Sequence, residues 1–148
     1  MIKENEISIA VIGLGYVGFP LAVELSKLYQ VCGFDLNIER IDELKKGIDR
    51  TNEINSSNFK NLDNIHYTSD IESIKSANIY IVTVPTPVDK NKIPDLSPLK
   101  NASKAVGRII SRGNIVIYES TVYPGATEEV CVPILEKKSK LKYNKDFF

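Results

Sequence analysis

Apolar residues along this chain fall into short runs that alternate with stretches of helical spacing. The run 7–12 predicts a first strand, and 18–29 a first helix whose Leu21, Ala22, Leu25 and Leu28 share one face. Pro20 suits the first turn of that helix, where N–H groups have no intrahelical partner to lose. A second strand is expected over 31–35, and a second helix over 38–46, capped by Asn37 and ended by Gly47. The polar stretch 48–63 reads as a loop with one short helix near 57–62. A third strand near 65–68 and a short helix near 70–75 follow. The fourth strand, 78–84, is almost continuously apolar, the pattern of a strand covered on both faces. Prolines stiffen the loop 85–96, after which Ser97 is the expected cap and Pro98 the first position of a helix over 98–111. A fifth strand is expected at 114–118, a loop at 119–126, and a last helix from Thr127, which Pro133 either kinks or shortens. The lysine-rich tail 137–148 reads as solvated, except that Phe147 and Phe148 suit the start of a sixth strand.

Strands alternating with helices predict an α/β fold, a Rossmann-type doubly wound parallel sheet of order 3-2-1-4-5 with its last strand truncated. Ligands of such sheets bind at the carboxyl ends of the strands, in the crevice between strands one and four. The loops after strands one, two, four and five therefore bring Gly15, Asp35, Thr86 and Thr121 to one edge. The first of these loops is GLGYVG, Gly13 to Gly18. Between a strand and a helix, G-x-G-x-x-G signals a dinucleotide site. Gly13 would make the tight turn, Gly15 would let a pyrophosphate approach the backbone, and Gly18 would let helix and strand pack closely. Asp35 ends the second strand about twenty residues on, where a carboxylate accepts from a ribose 2′-OH and repels a 2′-phosphate. That favours NAD over NADP. Arg40 leaves two readings open: a contact to adenine or phosphate, or a solvated helix charge.

Composition narrows the picture. The 148 residues suit one domain, and 43% hydrophobic content supplies a core. Lys+Arg and Asp+Glu both number 19, so nothing favours a nucleic-acid or anionic-membrane partner. No apolar run reaches spanning length and the start lacks a signal-peptide pattern, so a cytoplasmic protein is expected. Cys32 and Cys131 are too far apart in sequence for a metal motif, no metal is expected, and both read as packing residues. His66 reads as structural or exposed.

Three segments together, GLGYVGFPLAVELSK, VTVPTPVD and YESTVYPGATEE, resemble the N-terminal half of nucleotide-sugar 6-dehydrogenases, the UDP-glucose/GDP-mannose dehydrogenase family. The pairing of PTPVD with PDLSPL and YESTVYPGATEE is most similar to its UDP-N-acetylhexosamine branch, whose products feed capsular and O-antigen polysaccharides. The resemblance implies oxidation of a sugar 6-hydroxyl to a carboxylate with two NAD consumed, in an enzyme that is a homodimer or larger. It implies a pyrophosphate loop of Gly13, Leu14, Gly15, Tyr16, Val17 and Gly18, with Asp35 on the adenosine ribose and Arg40 beside it. Thr86 would contact the cofactor, and Thr121 would lie near the nicotinamide and help hold a catalytic water. A hydroxyl suits that role because it both donates and accepts. On the residues alone, Thr86 could equally cap a turn, Tyr123 and Pro124 shape a loop, and Glu119 be a solvated carboxylate.

The chain departs from the family in extent. Family enzymes are more than twice as long, and their catalytic cysteine lies in a later substrate domain together with a lysine, an asparagine and a Ser-Pro-Glu glutamate. Neither Cys32 nor Cys131 occupies the nucleophile's place. The expectation is a cofactor-binding fragment, residues 1–148, that binds NAD without turnover. UDP-glucose or GDP-mannose specificity, or a stand-alone NAD-binding module, remain the alternatives.

Overall fold

A computed structural model describes residues 3–59, 62–88, 90–91 and 93–148. Its centre is a parallel five-stranded sheet: β1 (Ser8–Ile12), β2 (Gln30–Phe34), β3 (Ile65–Thr68), β4 (Ile79–Val82) and β5 (Ile115–Tyr118), in the order β3-β2-β1-β4-β5. β1 pairs Ile12 with Phe34 on one side and with Val82 on the other, so the carboxyl ends of the three strands are level. Phe148 extends this sheet. Its N–H donates to Asn114 O and its C=O accepts from Val116 N–H, a parallel pairing beside β5 where the sixth strand was expected.

The sheet is covered on both faces, as its apolar strands require. Ile9, Val11, Val31 and Ile81 pack with Phe19, Ala22 and Val23 of α1 (Gly18–Leu25) and Ile41 and Leu44 of α2 (Ile38–Lys45). Ala10, Ile12, Tyr80 and Val82 face Leu99, Val106 and Ile109 of α3 (Ser97–Ile109) and Leu135 of α4 (Val132–Ser139). Asn37 caps α2 as expected, its side chain accepting from Arg40 N–H at 3.2 Å.

Several local expectations change. α1 ends at Leu25, so Leu28 leaves the buried face and is 79% exposed, and the face is completed by Phe19, Val23 and Ser26 instead. Ser97 does not cap α3. It is the first helical residue, and its N–H donates to Asp95 Oδ1 at 2.8 Å. A carboxylate two residues upstream supplies the acceptor that the hydroxyl was expected to supply. The helix near 57–62 is a single 3₁₀ turn, Ser56–Asn58, and positions 60 and 61 lie outside the described residues. Asp89 of the PTPVD motif does also.

The helix expected from Thr127 changes its winding just before Pro133. Thr127–Cys131 winds as a π turn, and Pro133 falls in the first turn of α4, where its missing N–H costs nothing. The tail is not wholly solvated. Phe147 is 1% exposed and sits in the α3–α4 core, while Leu141 packs against it. Among the described residues no helix is long and apolar enough to cross a membrane.

Candidate functional site

The carboxyl ends of β1, β2, β4 and β5 carry the residues singled out from the sequence. Gly13 leaves β1 at φ +97°, a conformation that disfavours a side chain, and its N–H donates to Phe34 O at 2.8 Å. Gly18 begins α1 so close to β1 that a methyl group there would overlap the Gly13 carbonyl and the Thr83 hydroxyl. A methyl on Gly15, by contrast, would meet none of the described residues within 4 Å. Gly13 and Gly18 are thus needed by the fold, and Gly15 keeps open the space a ligand backbone would enter. Tyr16 and Val17 flank that space at 70% and 59% exposure, whereas Leu14 is fully buried.

Leu14 is held at both ends of its backbone. Its N–H donates to Asp35 Oδ2 at 2.8 Å, and its carbonyl accepts from Arg40 Nε at 2.8 Å. Asp35 Oδ1 also accepts from Asn37 N–H at 2.9 Å. Arg40 is therefore not a solvated helix charge: it is 4% exposed, and its Nη2 donates to Asp49 Oδ1 at 2.8 Å. Its guanidinium carbon stands 5.0 Å from the Phe19 ring centroid.

Asp49 was not marked by any sequence pattern. It accepts from Arg40, from Thr51 Oγ1 at 2.7 Å, and from the N–H groups of Thr51, Glu53 and Ile54. Burial by itself would push the Asp49 carboxyl up. The hydrogen bonds from Thr51, Arg40 and Ile54 outweigh it and hold the group below the usual carboxylate range.

Asp35 separates two cavities. One, of about 250 Å³, is an almost wholly apolar slot between Phe34 and Leu36, Val84 and Pro85, and the first turns of α3 at Pro98, Asn101 and Ala105. The other, of about 200 Å³, is walled by Leu14 and Gly15 together with the side chains of Asp35, Asn37, Arg40, Arg50 and Thr51. Arg50 is turned toward Glu43, with Nε to Oε2 at 2.5 Å and Nη2 to Oε1 at 2.8 Å.

The β4 and β5 loops meet beyond Val84 and Pro85 of the slot wall. Thr86 Oγ1 donates to the Thr121 carbonyl at 2.7 Å, and Ser120 Oγ donates to the Val84 carbonyl at 2.6 Å. These two bonds bring Thr86 and Thr121 together and leave Thr121 exposed. Thr83, just before this loop, donates to the carbonyls of Ile12 and Gly13 at 3.0 and 2.7 Å. Neither Thr83 nor Ser120 stood out in the sequence. The signal for Thr83 is a hydroxyl at the end of an otherwise apolar run, and Ser120 has none beyond its place just after a strand.

Glu119 is exposed and His66 is exposed. Cys131 is buried and Cys32 half-buried, and burial pushes both thiols up, away from the thiolate a nucleophile needs.

Comparison with known proteins places the chain in a family. A family model, the UDP-glucose/GDP-mannose dehydrogenase family NAD binding domain, matches residues 7–148. The chain is 53% identical over 144 residues to a Pseudomonas aeruginosa UDP-N-acetyl-D-glucosamine 6-dehydrogenase, covering 97% of the chain and 34% of that relative. It is 57% identical over 141 residues to Protein CapL of Staphylococcus aureus, covering 95% and 33%. Among solved structures, a UDP-D-ManNAc dehydrogenase from Pyrococcus horikoshii superposes with TM-score 0.88 at 35% identity, covering 95% of this chain and 34% of that one. The chain spans about a third of the length of the curated relatives it matches.

Proposed function

This chain belongs to the UDP-glucose/GDP-mannose dehydrogenase family, in its NAD-binding domain, and from that premise we propose how residues 1–148 hold the dinucleotide and what reaction they serve. The observation that carries the reading is the position of Asp35, between an apolar slot and a second cavity at the glycine turn that Asn37, Arg40, Arg50 and Thr51 also line. The slot suits a flat adenine, and the hydrogen-bonding side chains of the second cavity suit its ribose. Asp35 accepts from the ribose hydroxyls and, being anionic, disfavours a 2′-phosphate. Gly13, Leu14, Gly15, Tyr16, Val17 and Gly18 form the turn that carries the pyrophosphate to the first N–H groups of α1. Arg40 borders the ribose cavity and braces the turn from beneath.

The bound cofactor supplies a hydride acceptor. Thr86 and Thr121 place two hydroxyl-bearing residues together on the loops that continue from the slot wall at Pro85. Thr121 faces the nicotinamide and the reacting carbon, and its hydroxyl orients a water for the second oxidation. The substrate of the whole protein is a UDP-N-acetylhexosamine whose 6-hydroxyl becomes a carboxylate for polysaccharide synthesis. The identity of 53% and 54% to two UDP-N-acetyl-D-glucosamine 6-dehydrogenases supports that reading. The raised thiols of Cys32 and Cys131 fit a covalent step supplied by a cysteine other than these two.

Calorimetric titration with NAD and with NADP tests the cofactor reading. NAD is expected to bind, NADP to bind far more weakly, and Asp35→Ala to weaken NAD by about tenfold or more. A folded chain that binds neither, or that prefers NADP, overturns it.

A further inference from the structure

The segment after α2 reads as a featureless polar loop, yet it holds the most heavily hydrogen-bonded carboxylate among the described residues. Asp49 accepts five hydrogen bonds, four of them from its own segment and one from Arg40. The Asp49 and Arg40 side chains are 1% and 5% exposed. From Arg40 the connection continues: Nε grips the Leu14 carbonyl, and the Leu14 N–H is gripped by Asp35. We propose that Asp49 is a positioning residue for the cofactor, acting through Arg40 to set the Leu14 peptide at the start of the glycine turn. The inference rests on the NAD reading above.

Three observations carry it. First, the pair is not arranged for stability. Buried ion pairs seldom outperform apolar packing, and this one leaves Arg40 Nη1 buried without a hydrogen-bond partner among the described residues. Such a pair makes sense as a fixed strut between two pieces of backbone. Second, only a guanidinium can serve. Nε and Nη2 lie on one rigid plane and reach Leu14 and Asp49 at the same 2.8 Å, whereas an ammonium has a single nitrogen for both. Third, the Leu14 peptide leads directly to Gly15, the residue with open space above it. A tilt of that peptide redirects the backbone groups that meet the pyrophosphate. Asp49 lies too deep, under Arg40, to need any contact of its own with the ligand. The same segment also sets Arg50 and Thr51 in the wall of the ribose cavity, so a shift of Asp49 moves both floor and wall.

The test uses the 148-residue chain, with Asp49→Asn as the first variant and Arg40→Lys as the second. Arg40→Lys keeps the cation beside Asp49 but cannot span to Leu14, so it reads the strut even if Asp49→Asn does not fold. Two readouts are taken at a temperature where circular dichroism shows each variant folded. One is the NAD dissociation constant. The other is the pair of backbone amide resonances of Leu14 and Gly15 in the cofactor-free chain, where no direct ligand contact can contribute. The expected result is NAD weakened by about tenfold, with both amides displaced. A folded variant with unchanged affinity, or with Leu14 and Gly15 amides at their wild-type positions, overturns the inference. Wild-type chain that fails to bind NAD overturns the cofactor reading instead, and the amide shifts still decide whether the strut acts.

Discussion

The two ends of the crevice are built differently. At the β1–β2 end the turn is anchored from within: Leu14 is fully buried, and Arg40 and Asp49 beneath it are nearly so. At the β4–β5 end the loops run over the surface, joined by the hydroxyls of Thr86 and Ser120 to two carbonyls, with Thr121 and Tyr123 exposed. Recognition of a dinucleotide common to many enzymes calls for one invariant geometry, and a core supplies it. The end assigned to the chemistry keeps its groups at the surface. On the proposed reading, the contrast separates a half that specifies a cofactor from a half that receives a second ligand.

The contrast is open to breakage. The largest expected effect is Asp49→Ala, which strands the buried Arg40 charge and should cost about 3–5 kcal/mol by urea unfolding at neutral pH. The gap should close in acid. Asp49 titrates lower in the folded chain than in the unfolded one. Its contribution is therefore complete above the unfolded value of about 4 and is lost as pH falls through the folded value. Wild type and variant that stay equally far apart at low pH would contradict this. Gly18→Ala comes next, at about 3 kcal/mol, because the overlapping atoms include backbone that cannot move aside. Gly13→Ala should cost about 1–2 kcal/mol for its positive φ and weaken NAD as well. Smallest is Ser120→Ala, at about 1 kcal/mol or less. Its mark should be faster amide hydrogen exchange in 119–123 with the glycine turn unchanged. If Ser120→Ala rivalled Asp49→Ala, the two ends would not differ in the way described.

What could be read from the sequence was local or periodic. The glycine turn, Asp35 and the cap at Asn37 act within a few residues of themselves or at a strand end, and the structure places them accordingly. The almost unbroken apolar run of β4 told that both faces are covered, and Tyr80 and Ile81 do pack on opposite sides. Asp49 escaped because its defining bond is to a helix residue nine positions earlier, across a stretch with no period. Arg40 escaped as a buried residue because exposure of a helix charge depends on what the following loop covers. Asp95 escaped because a carboxylate and a hydroxyl both have the chemistry to accept at a helix start, and in the fold Ser97 is already helical and its N–H donates to Asp95. Phe147 looked misplaced at a lysine-rich end until the turn after α4 folded it back under α3.

The double grip on Leu14 has a kinetic consequence. The conformational entropy of ordering the turn is lost once, when the chain folds, and does not recur at each encounter with ligand. Binding then involves docking onto a surface already in place, and release requires no local unfolding. In the two-step oxidation proposed for the whole protein, the spent nucleotide has to leave and a fresh one arrive while the half-oxidised sugar waits. A turn that keeps its shape when empty shortens that interval, because exchange is limited by diffusion and desolvation and not by the refolding of a loop.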